Sequence, residues 1–164
     1  MYKYDFLQEI TMQNANNFIE RIDANKEKID ELTINIGSYG GDIAAGIVLY
    51  HYLKSLPFEV LTHNIGETTS SAILFYLGGS KRSCAPISKF LIHPITYTMN
   101  GTFNYYDLKQ KIEIIKYDIK NYAEVVNKET NHLNNIYNIN KYLKYDTLAL
   151  DKDLAYKCGI SNVK

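Results

Sequence analysis

Ser70, His93 and the glycine pair Gly40-Gly41 are the residues whose types and order could do chemistry in this chain. Ser70 lies in Ile65-Gly66-Glu67-Thr68-Thr69-Ser70-Ser71-Ala72-Ile73-Leu74, 29 residues after Gly41 and 23 before His93. A serine ahead of an apolar run, backbone N–H donors on a glycine turn and a histidine at a strand end are the parts of a serine hydrolase. Each part also has a plainer use. The glycines supply backbone angles for a tight turn, and Ser70 or Thr69 suits a helix N-cap. His93 follows Phe90-Leu91-Ile92 and precedes the strand-breaking Pro94, so it is held rigidly, as a general base must be. His51 falls in a helix, His63 in a strand and His132 in an Asn-rich stretch, and all three read as surface or satisfied core side chains.

The elements that must hold these residues follow from periodicity. Ala15, Phe18, Ile19 and Ile22 have helical spacing, and Leu32–Ile36 alternates as a strand. Gly37–Gly41 is a turn, with Asp42 the N-cap of a helix from Ile43 to about Leu56, where Pro57 stops it. Phe58–Asn64 is the next strand, Ser70–Leu77 the next helix, closed by Gly78-Gly79, and Lys89–His93 a third strand. Strands alternating with helices predict parallel strands joined by crossovers, an α/β fold. Functional residues then belong at the carboxyl ends of the strands, and Gly40-Gly41, Ser70 and His93 all point to one rim. From about Asn104, Leu108, Ile112, Ile115, Ile119, Tyr122 and Val126 form the apolar seam of one long helix. It could pack on its own domain or project and bury its stripe against a neighbouring subunit. A last helix starts near Asp151 and ends at Cys158-Gly159.

At 164 residues the chain reads as a single domain over 1–164, and 18 basic against 18 acidic residues give no pull toward nucleic acid or an anionic membrane. No apolar run approaches the ~20 residues that span a bilayer, and the N-terminus lacks a signal-like region. Cys84 and Cys158 lack metal-ligand spacing, so neither a metal nor a disulfide is expected. The expectation is a cytoplasmic protein with no membrane, nucleic acid or cofactor among its partners. The 15 tyrosines reflect compositional bias.

Three of these segments resemble the Clp protease proteolytic subunit family. Gly37-Ser38-Tyr39-Gly40-Gly41-Asp42-Ile43-Ala44-Ala45-Gly46 is similar to its Ser-Pro-Gly-Gly…Ala-Gly segment, and Ile65–Ser70 to its nucleophile segment. Lys81-Arg82-Ser83-Cys84-Ala85-Pro86 through His93 is similar to its histidine segment. The resemblance runs from about Phe6 to Ile160. It implies Ser70 as nucleophile, His93 as base, and oxyanion and substrate binding by Gly40, Gly41 and Ser71. It also implies a crotonase-like fold of repeated ββα units with a projecting "handle" helix over about 95–133. Family members assemble as rings or stacked rings whose chamber admits peptides or unfolded proteins.

The chain departs from that pattern in four places. Counting back from Ala155–Gly159 puts Thr147 at the position of the catalytic aspartate; a one-residue insertion would restore Asp146, which is taken as the third triad member. Asp151 suits an N-cap better. Tyr39 replaces a proline, and Glu67, Thr68 and Thr69 are larger or more charged than their counterparts. Phe6–Ile10 already matches the first family strand, which leaves little chain for axial loops and counts against coupling to a Clp-type ATPase. The expected function is serine-type endopeptidase. The alternatives are a catalytically silent structural subunit of a mixed assembly, or a crotonase-type acyl-CoA enzyme using Glu67.

Overall fold

The computed structural model describes residues 1–130 and 133–163. Its core is a six-stranded sheet in the order β1-β2-β3-β5-β6, with β4 also paired to β3. The strands are β1 (Tyr2–Phe6), β2 (Glu31–Ser38), β3 (Glu59–Thr69), β4 (Lys81–Cys84), β5 (Lys89–Ile92) and β6 (Leu148–Asp151). All pairings are parallel except β5 with β6. The expected α/β arrangement is present, with helices α1 (Met12–Asp23), α2 (Ile43–Ser55) and α3 (Ser71–Leu77) between the strands.

The long strand β3 organises the sheet. Its first half, Leu61–Asn64, pairs with β4, and its second half, Glu67–Thr69, pairs with β5. Asn64 stitches the changeover, donating to Lys89 O at 2.9 Å and accepting from Gly66 N–H at 3.0 Å. The sequence pattern ends this strand at Asn64. Pairing with β5 instead carries the β-branched Thr68 and Thr69 into the sheet, which suits their side chains. β1 occupies Tyr2–Phe6, earlier than the Phe6–Ile10 segment expected to match a first strand.

Asp42 caps α2 as expected, accepting from Ala45 N–H at 2.8 Å. Helix α4 runs from Tyr105 to Glu129, opened by a reciprocal Asn104/Asp107 capping box. It ends before Leu133, and the last stretch of the expected 95–133 handle, with His132, lies partly outside the described residues. Its apolar seam divides. Ile119, Tyr122 and Val126 are buried on the domain core, whereas Leu108 is 45% and Ile112 51% exposed. Short helices α5 (Leu133–Ile136) and α6 (Ile139–Tyr142) lead to β6, and α7 (Lys152–Lys157) follows it.

On β4, Arg82 is buried. Its guanidinium donates to the carbonyls of Gly79, Glu129, Gly159 and Ile160 and lies 3.5 Å from the Glu129 carboxylate. A cation can be buried only when so fully partnered. Among the described residues no helix is long and apolar enough to cross a membrane.

Candidate active site

Parallel pairing places the two central side chains. Thr69 of β3 is opposite Leu91 of β5, and Ser70 N–H donates to Leu91 O at 2.9 Å. His93 leaves the end of β5 two residues later, so Ser70 and His93 occupy the ends of neighbouring strands. Both border a cleft of about 320 Å³, together with Tyr39, Gly41, Asp42 and Tyr97. A second depression of about 470 Å³, along Leu7–Glu9 and Gly37–Gly41, shares Tyr39 and Gly41 with it. The exposed Tyr39 ring, in place of a proline, stands between the two.

Ser70 has φ 56° and ψ −130°, the one non-glycine residue with positive φ among those described. Such a conformation costs ~1–3 kcal/mol and persists only where its surroundings enforce it. Here the N–H is held by Leu91 O, and the carbonyl accepts from Ile73 N–H and from the Tyr122 hydroxyl, each at 2.9 Å. A strained strand-to-helix turn is how a nucleophilic serine is presented on an α/β sheet. Ser70 holds the N-cap position of α3, yet its side chain makes no cap hydrogen bond. Thr69 Oγ1 donates to Glu67 Oε1 at 3.0 Å. Neither hydroxyl performs the capping that the sequence allowed.

Gly40 and Gly41 have φ of 92° and 142°. A Cβ on Gly40 would lie 2.6 Å from Thr69 O and 2.8 Å from Ser70 Cβ, so the glycine turn sits directly on the Ser70 turn. Gly40 N–H is taken by Ser38 Oγ at 3.2 Å, and its carbonyl by Ile10 N–H at 2.8 Å. Gly40 therefore supplies the close approach. Gly41 N–H enters no hydrogen bond among the described residues, and Ser71 N–H, in the first turn of α3, has no intrahelical partner.

His93 Nδ1 lies 2.9 Å from Pro94 O. A carbonyl oxygen only accepts, so Nδ1 carries the proton in this contact, which in the neutral imidazole leaves Nε2 as the bare nitrogen that a general base requires. Among the described residues no hydrogen bond joins Ser70 Oγ to the imidazole, although the two share the cleft. Such bonds are often long in unliganded sites and tighten around substrate.

Asp146 makes no hydrogen bond to His93. Its carboxylate pairs with Lys141 Nζ at 2.8 Å and accepts from Thr147 N–H at 2.8 Å. The Lys141 hydrogen bond, then that backbone donor, hold its carboxyl below the usual range. The strand register accounts for this. Leu148 is opposite Ile92 in the antiparallel β5–β6 pair, where the pairing ends; continued beyond it, the register would set Thr147 opposite His93 and Asp146 opposite Pro94. Side chains of directly opposed residues share a face. Asp151 caps α7 as expected, accepting from Leu154 N–H at 2.9 Å. Glu67 is engaged by Lys89 at 2.9 Å. His63 Nδ1 is 2.7 Å from Ser83 Oγ, a satisfied strand histidine.

Two site contacts were invisible in the sequence. Tyr97 lines the cleft and donates to Asp118 of α4; burial and that hydrogen bond push its phenol up to about 12. Tyr122 reads as one more apolar position of a helix seam, with nothing to mark its hydroxyl.

The chain is similar to known proteins in sequence and fold. The Clp protease family profile matches residues 4–161. The chain is 30% identical over 119 residues to an ATP-dependent Clp protease proteolytic subunit 1 of Rhodopirellula baltica, covering 68% of this chain and 51% of that protein. It is 26% identical over 126 residues to the subunit 1 of Leifsonia xyli, covering 74% and 63%. The match to a subunit 2 of Chlamydia trachomatis is 32% over 99 residues, 58% of this chain and 49% of the relative. The chain thus spans about half to three-fifths of these relatives' own length. In structure it superposes on a ClpP1 mutant from Listeria monocytogenes with a TM-score of 0.79 at 21% identity, covering 98% of this chain and 88% of that one. With a sheet of this topology, a strained serine turn against a glycine pair, and a profile match over nearly its whole length, the chain belongs to the Clp protease family.

Proposed function

We propose that this chain is a serine peptidase that cleaves peptides or unfolded polypeptides, with Ser70 as nucleophile and His93 as general base. The carrying observation is the Ser70 turn, strained and pinned, bordering one cleft with His93 and Gly41. Ser70 Oγ attacks the scissile carbonyl carbon while His93 Nε2 takes its proton. The oxyanion is held by the N–H groups of Gly41 and Ser71, donors of a kind worth roughly 3–4 kcal/mol each of barrier lowering. Collapse returns the proton to the leaving amine, and water, deprotonated by His93, then hydrolyses the acyl-enzyme.

The tautomer of His93 is fixed by Pro94 O in this reading, in the place where Asp146 was expected to act. The exposed outer half of α4, bearing Leu108 and Ile112, packs copies of the chain into a chamber that keeps the site from folded proteins. The relatives are named as ATP-dependent, so an ATPase is the partner class to test against such an assembly, although the sequence expectation counts against that coupling.

The test is labelling with a fluorophosphonate. Wild type should be modified at Ser70, and Ser70→Ala should lose labelling and at least about 10⁴-fold of peptide hydrolysis while melting normally. The absence of a carboxylate on His93 favours one second reading, a silent structural subunit. Assembly without any Ser70 labelling would establish that reading instead.

A further inference from the structure

We propose that Tyr122 is a positioning residue for catalysis, clamping the backbone of Ser70 to helix α4 and so holding the nucleophile in its strained conformation. This rests on Ser70 being the nucleophile. Tyr122 is 1% exposed, and its hydroxyl donates to Ser70 O at 2.9 Å across 52 residues of sequence. A carbonyl oxygen has two lone pairs. One takes Ile73 N–H, an ordinary first-turn bond of α3, and the other takes Tyr122.

The direction of that carbonyl is the ψ angle of Ser70. With the N–H tied to Leu91 O, holding the carbonyl fixes both sides of the residue and hence the direction of Cα–Cβ. Without the hydroxyl, the carbonyl and its ψ of −130° are held only by the Ile73 bond within α3. Burial keeps the phenol far above its ordinary pKa, so the donor stays protonated at any working pH. The Clp-type fold alone does not require a hydroxyl here, since Phe would fill the same apolar seam.

A second buried tyrosine provides the control. Tyr76, on α3, is fully buried and donates to Ser83 O at 3.0 Å, away from the Ser70 turn. Tyr122→Phe and Tyr76→Phe each leave one half-buried carbonyl short of one donor, so a purely structural role predicts equal consequences. The experiment measures the fluorophosphonate acylation rate, KM and kcat for a peptide substrate, and hydrogen exchange at the Ile73 amide, in assembled protein of each variant.

Tyr122→Phe should lower acylation and kcat by about 10- to 100-fold, as small misplacements of a reacting group do, with KM nearly unchanged and faster exchange at Ile73. Tyr76→Phe should stay within about twofold of wild type in acylation, the range of mutations outside the reacting geometry. Wild-type acylation in Tyr122→Phe, or equal losses in both variants, overturns the positioning role while leaving Ser70 as nucleophile. Wild type that is never labelled overturns the nucleophile reading and the clamp with it.

Discussion

The Ser70 turn and the turn that carries Asp146 lie at the same end of the sheet, one after β3 and the other before β6, and they are held in opposite ways. At Ser70 the backbone itself is fixed: its N–H and carbonyl are bonded to β5, α3 and α4, and its neighbours Thr69 and Ser71 are buried. At Asp146 the side chain does the bonding, to Lys141 and to the next amide, with the surrounding positions exposed. An exposed ion pair is screened by water and salt and exchanges readily. A strained geometry survives only in the first kind of setting. The chemistry should therefore be sensitive to almost any change around Ser70 and tolerant of changes at Asp146.

The largest contrast is expected from Gly40→Ala. Its Cβ would meet Thr69 O and Ser70 Cβ within 2.8 Å at a φ that disfavours side chains. Ser70 acylation should fall by at least about 100-fold. A Gly40→Ala protein that labels normally would break the contrast at its strongest point. Next, Leu108→Asp with Ile112→Asp should reduce the assembly to folded monomers in light scattering, because both side chains are about half exposed and contribute little to the domain core. Unchanged assembly would place the interface elsewhere.

Thr147→Asp sharpens the comparison from the other side. It would install a carboxylate opposite His93 by register, and kcat should rise by up to about tenfold, well short of the ~10⁴ lost when an established triad loses its tautomer control. No gain would mean that the antiparallel register does not continue past Leu148. The smallest effect is expected from Asp146→Asn, within about threefold of wild-type kcat/KM, since surface changes away from special features matter little. A hundredfold loss there would show that Asp146 leaves Lys141 to act on His93, and would remove Pro94 O from its assigned role.

Helices α1 to α4 and α7, and the placing of Ser70 and His93 at neighbouring strand ends, could be read from periodicity and turn residues because each signal is local, whereas β3 runs on to Thr69 past the expected end at Asn64. What escaped the sequence depends on pairing between distant segments. β4, Lys81–Cys84, carries a buried arginine where a strand signal would want an apolar residue. β6, Leu148–Asp151, is four residues long and alternates through only two buried positions. Its antiparallel register, continued past Leu148, would set Thr147 opposite His93, in agreement with the ungapped count back from Ala155–Gly159 and against the one-residue insertion that would have restored Asp146. The seam of α4 was legible as a stripe, while its division into a buried and an exposed half is set by how far the core extends beneath it.

Arg82 bears on the order in which the molecule can be made. Its partners Gly159 and Ile160 lie 77 and 78 residues downstream. A chain emerging from the ribosome can assemble β1 to β5 with α1 to α3 long before those carbonyls exist, and through that interval a buried cation has part of its cradle missing. Full partnering of the Arg82 guanidinium is therefore possible only once the C-terminal segment has been made. Arg82→Lys, with one compact ammonium in place of a planar fork, would leave some of the carbonyls of Gly79, Glu129, Gly159 and Ile160 without a donor.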